Sequence, residues 1–390
     1  MTVTDMQEIQ EIKTQNTTTH ATRIFFLDNL RAFVIVLVVI LHGAMVYMAD
    51  APSWWYVIDT QNSFFFTLLV IIIDVPIMLI MFYISGYFAL PSLVKRGPDK
   101  FLKEKFIRIG APWIFGVLFL APLTAYIYFI SRDIDMSYLE FWSSTFWNTS
   151  FQQSVYWYLG ILMLLFFLLV LVYDISERLR TAKPHLSRPG WKQFFIFWAL
   201  MSLGMLIMMG WFPIDTWFTD MRILVFQPLR LPLYFGYFIL GIYAHLNGWY
   251  RPGGHQPRLL PWSAIWLTSG MLYLANRIFI LPSTADPLIP EVVHALLFNA
   301  FCLSSLMAGT ALFQQKVNKN TPFWKSLSSN SYGIYYIHPL ILYPLALLMR
   351  QFSIPPMIKA PLVIFLAIIL SWAVSGFFLT KAPIVRRAFG

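Results

Sequence analysis

Apolar stretches recur along the chain near residues 32–49, 64–90, 111–131, 154–173, 193–212, 229–247, 259–281, 292–313, 329–349 and 360–380. Each approaches the roughly 20 residues that a helix needs to cross a hydrocarbon core. Several carry Gly and Pro, which a helix bundle tolerates because neighbouring helices satisfy the freed backbone groups. The pattern predicts an all-α polytopic membrane protein, a bundle of about ten transmembrane helices forming one domain over residues 23–390. Residues 1–22 read as a polar, Thr-rich tail; they lack the basic region, short apolar core and cleavage site of a signal peptide.

Composition strengthens this reading. Of 390 residues, 58% are hydrophobic and 12% charged, more apolar surface than a soluble domain of this length can bury. The single cysteine, Cys302, excludes an internal disulfide. A formal net charge of +10 raises the question of nucleic acid, and the position of the charges answers it. Of 28 Lys and Arg, 22 fall in the two terminal segments and the loops on their side of the predicted bundle, four in the opposite loops, and two, Arg230 and Arg277, within or at the edge of spans. The asymmetry predicts both termini in the cytoplasm, and the charge is a topology signal rather than a nucleic-acid surface.

Few polar side chains interrupt the spans, and these are the candidate site. Arg31 and His42 are eleven residues apart, so on a straight helix they lie within roughly 20° of one face and about 16 Å apart along it, looking toward a common cavity. The alternative is a positive-inside anchor and a neutral histidine bonded to a neighbouring helix. Asp74, followed by Pro76, sits near mid-bilayer in the second span, where it fits either orientation of His42 or a protonated packing role. His338, before Pro339, lies about eight residues into the ninth span; it extends the cavity or bonds to Tyr335. Ser85 and Gly86 offer a place for a helix or ligand to approach closely.

Nearer the predicted surfaces, Lys103, Lys105 and Arg108 form a basic face before the third span, suited to the phosphates of a nucleotide-like donor or to anionic lipid. On the other side, FWNTSFQQSVYWYLG carries Tyr156 and Trp157, either a sugar-stacking surface or interface anchors. Arg222 and Arg230 approach the same side, for an anionic acceptor or lipid headgroups. His245 and His294 fall at span ends without an assigned role. No Walker loop, dinucleotide fingerprint, HExxH or cysteine cluster is present, and no metal site is expected.

These stretches taken together resemble the membrane acyltransferase type 3 family. The likeness rests on LDNLRAFVIVLVVILHG with Arg31 and His42, FYISGYF at 82–88, KEKFIRIGAPW, VYWYLGILML, RLPLYFGYFILGI, SYGIYYIHPL with His338, and the closing KAPIVRRAFG, in the family's order. Within the family the chain looks most similar to the branch that modifies periplasmic glucans. The resemblance implies transfer of an acyl group, acetyl or succinyl, from cytoplasmic acyl-coenzyme A, a co-substrate rather than a resident cofactor, to a hydroxyl of a periplasmic or surface carbohydrate. Arg31 would contact the donor or hold the cavity, Lys105 and Arg108 would grip coenzyme A phosphates, and His42 is the proposed base. Two departures stand out: Lys105 replaces a usual arginine, weakening a bidentate phosphate contact, and Asp74 lies farther ahead of Ser85 than the family's common acidic residue. A transporter or flippase with His42, Asp74 and His338 as a proton relay is the alternative, followed by a structural membrane subunit.

Overall fold

The computed structural model describes residues 24–282, 288–382 and 385–389; the tail 1–22 lies outside them. All ten apolar stretches fall on helices. They are α1 (Phe25–Tyr47), α2 (Phe64–Asp74) with α3 (Ile77–Arg96), α4 (Pro98–Ile130), α5 (Ser154–Ile175), α6 (Trp191–Met209), α7 (Leu231–Leu246), α8 (Leu259–Ala275), α9 (Leu288–Lys316), α10 (Pro322–Arg350) and α11 (Pro356–Leu379). Among the described residues, eight spans are long and apolar enough to cross a bilayer by themselves, with α2 and α3 making one of them. Of the other two, the 16-residue α7 follows a 3-10 turn at Pro228–Arg230, and the 17-residue α8 continues through a π turn at Asn276–Ile280. Among the described residues there is no strand, only the isolated bridges Met48 to Ser63 and Phe218 to Phe226. The protein is an all-α polytopic membrane protein.

The second span is broken where the sequence places Pro76, which has no N–H to donate and whose ring crowds the preceding turn. Side chains of other helices take up carbonyls at the break: Arg230 Nη1 donates to Asp74 O at 3.2 Å, and the Cys302 thiol to Val75 O at 3.6 Å. Farther along, α3 and α7 touch backbone to backbone. A Cβ on Gly86 would stand 2.0 Å from Phe238 O, and one on Gly241 2.1 Å from Tyr83 O. The close approach expected at Gly86 is thus a helix contact.

The loop between α1 and α2 is held from several directions. Arg132 donates to the carbonyls of Ser53, Trp55 and Tyr56 at 2.9, 2.8 and 3.1 Å, and Ser131 Oγ donates to Tyr56 O at 2.8 Å. Lys359, at the start of α11, meets Asp59 at 2.8 Å with both side chains fully buried. Tyr56 donates to Gln152, and burial pushes its phenol up to about 12, so it stays a donor. A hydrophobic length of chain is thereby folded back over the end of α1.

Candidate active site

That fold-back places Trp55, 4% exposed, parallel to the His42 ring, with centroids 5.7 Å apart and planes 6° apart. Tyr343 of α10 meets the Trp55 ring edge-on at 5.7 Å. On its other side His42 meets His338, which is fully buried: Nδ1 of His42 lies 3.1 Å from Nε2 of His338. The second nitrogen of His338 is 2.8 Å from Tyr335 O and 3.2 Å from Ile334 O. The two intramembrane histidines therefore form one unit across α1 and α10.

His42 lines a cavity of about 620 Å³, together with Trp55, Asp74, Trp157, Arg230 and Tyr335. Asp50, Trp54, Arg277 and Pro282 also line it, so it extends toward the end of the bundle poor in Lys and Arg. Two ion pairs lie in its wall. Arg230 clasps Asp74 and also lies over the Phe298 ring, 5.3 Å from its centroid; Arg277 pairs with Asp215, whose φ of 63° lies in the left-handed region that Asp tolerates. Aromatic faces beside paired polar groups suit a polyhydroxylated ligand, which stacks its C–H faces and bonds its hydroxyls.

Several expectations change. Asp74 does not orient His42: the break at Pro76 turns it to Arg230, from a helix far away in sequence, although both residues remain in the cavity wall. Arg31 is not on that wall. It lies toward the basic end of α1 with Asp28 at 3.3 Å, and the interval to His42 is filled by other rings. Tyr158 bonds Ser85 at 3.0 Å and packs against Tyr335, whose ring lies 6.3 Å from that of His338. Tyr156 does not reach the cavity; it is buried with its hydroxyl donating to Tyr336 O at 3.0 Å. Its neighbour Trp157 does line the cavity.

At the basic end, Lys105 turns inward over the Phe166 ring at 4.4 Å, whereas Lys103 and Arg108 are exposed. The π turn Phe106–Gly110 starts between Lys105 and Arg108 and widens the helix there, so the two diverge more than an i, i+3 pair. Arg31, Arg96 and Arg108 surround Lys105 as like charges, with Glu104 opposing them. Tyr332 donates to Arg108 O at 2.8 Å, which joins this end to α10, and Phe389 stacks on Tyr332.

Sequence reasoning missed Trp55, Tyr335, and the Asp215–Arg277 pair as cavity groups. The SWWYV stretch is a visible signal, but tryptophans at a membrane boundary are so common that it does not stand out.

Comparison with known proteins places the chain in a family. The type 3 acyltransferase domain matches residues 24–376, nearly the whole chain. Glucans biosynthesis protein C of Shigella boydii serotype 4 (strain Sb227) is 29% identical over 122 residues, a match covering 31% of this chain and 30% of that protein. No solved structure matches. With both histidines, the cavity and the basic face inside the matched region, the chain belongs to the type 3 acyltransferase family.

Proposed function

We propose that the protein transfers an acyl group from acyl-coenzyme A to a carbohydrate hydroxyl, with His42 as general base. The observation that carries this reading is an imidazole at the wall of a 620 Å³ aromatic and ion-paired cavity, braced by a second imidazole. In the reaction the acceptor O–H gives its proton to His42 while its oxygen attacks the thioester carbonyl. The tetrahedral intermediate collapses with cleavage of the C–S bond, and the thiolate leaves with the proton held by His42.

The acceptor enters from the Lys- and Arg-poor side, where Trp157 and Arg230 stand. The name of the Shigella relative supports a glucan as acceptor. The donor enters from the basic end, with Lys103, Lys105 and Arg108 near its phosphates and Arg31 along the path. Helix rise separates Arg31 from His42 by about 16 Å, comparable to the reach of a pantetheine arm. The rings of Tyr158 and Tyr335 fill that interval, so the arm reaches His42 when they move aside. The charge asymmetry supports both termini inside, and the bacterial source of the relative supports a bacterial cytoplasmic (inner) membrane. The proton-relay reading loses its carboxylate, because Asp74 is committed to Arg230.

Purified protein incubated with acetyl- or succinyl-coenzyme A and a glucan oligosaccharide tests the proposal. Mass spectrometry is expected to show the acceptor heavier by one acyl group, with equimolar coenzyme A released. Release of coenzyme A without acceptor modification, across glucan acceptors, would overturn the carbohydrate assignment.

A further inference from the structure

The hydrogen-bond order around the two histidines goes beyond naming a base. Pro339 has no N–H, so Tyr335 O, which would have accepted from position 339 in an unbroken helix, lacks its usual donor. His338 fills that place: its Nδ1 lies 2.8 Å from Tyr335 O. A carbonyl only accepts, so Nδ1 carries the hydrogen and Nε2 of the neutral ring is left with a lone pair. That lone pair faces Nδ1 of His42 at 3.1 Å, which must then donate.

We propose that His338 is a positioning residue that fixes the tautomer of His42, through a chain running from Tyr335 C=O to His338 and on to His42. The chain leaves Nε2 of His42 unprotonated on a ring that lines the cavity. The His-Pro dipeptide acts here as the orienting partner that a carboxylate provides in hydrolytic triads. The inference rests on His42 being the base, but its structural content, the location of two protons, is measurable without turnover.

Solid-state NMR of the full-length protein labelled with ¹⁵N-histidine, in lipid at neutral pH, reads the tautomers directly, with His42→Ala and His338→Phe used to assign signals. The expected result is a pyrrole-like Nδ1 and pyridine-like Nε2 on both rings, with the His42 preference lost in His338→Phe. With acetyl-coenzyme A and a glucan oligosaccharide, His338→Phe is expected to lower kcat about 100-fold or more with KM within about threefold. His338→Gln, which returns an acceptor oxygen near Nε2, should recover most of that loss. Protonated Nε2 on wild-type His42 overturns the proposal, as does a folded His338→Phe with kcat within about threefold of wild type. If either variant fails to fold, the wild-type spectrum decides. Activity retained by His42→Ala would instead remove the base reading and leave the tautomer assignment standing.

Discussion

Every cationic side chain away from the basic end has a partner. Arg230 and Arg277 pair with aspartates, Arg132, Arg222 and Arg350 donate to backbone carbonyls, and Lys359 meets Asp59. The last pair has no exposure at all, so removing one partner strands a charge in a medium that solvates it poorly. Lys359→Met is therefore expected to destabilise the protein by about 3–5 kcal/mol, whereas Lys359→Met with Asp59→Leu recovers much of the loss. Thermal unfolding in detergent measures this; a single variant melting with the wild type would contradict it. The same scale shows what one sequence conveys. His42 and His338 are conspicuous as imidazoles within apolar runs, but their contact depends on the register of two helices 296 residues apart, which no local spacing encodes. Asp74 was equally conspicuous, and its true partner, Arg230, looked like a surface residue because it begins a span.

At the scale of helices, the α3–α7 contact is built on the absence of side chains. Substituting Gly86 or Gly241 with alanine drives a Cβ into the opposing backbone, which has no rotamer to yield. Gly86→Ala is expected to lower the unfolding temperature and separate α3 from α7, reducing activity through Ser85, which bonds Tyr158 next to Gly86. Measured helix separation, by spin labels on α3 and α7, and melting in parallel check this; an unchanged distance and temperature would contradict it. Hydropathy located the apolar cores of the helices well, because length and apolarity are local properties. It marks the apolar part of the third span from residue 111, while α4 itself begins at Pro98, where Pro98 and Asp99 signal the start of a basic helix leading into the span. The π turns of α4 left no comparable trace.

For the whole molecule, the proposed transfer needs two entrances on opposite faces. In a Cys302→Ser background, a single cysteine at exposed Asp135 should react with a membrane-impermeant maleimide in cells whose outer membrane is opened. A cysteine at exposed Lys183 should react only after the inner membrane is lysed. The reverse pattern would put the aromatic cavity in the cytoplasm and exchange the donor and acceptor sides. The charge asymmetry predicts this orientation because the topology signal is carried by loops. The cavity was not legible in the sequence, because its wall gathers α1, α2, α3, α5, α8, α10 and three connecting segments that are distant in sequence.

The most direct measurement is acyl transfer by His42→Ala, compared with wild type at equal amounts of folded, membrane-inserted protein. Loss of the base predicts a fall of about 10²–10⁴-fold in transfer to the glucan hydroxyl, with the unfolding temperature little changed. Transfer at near wild-type rate by that folded variant would contradict the assignment of His42 as the group that activates the acceptor.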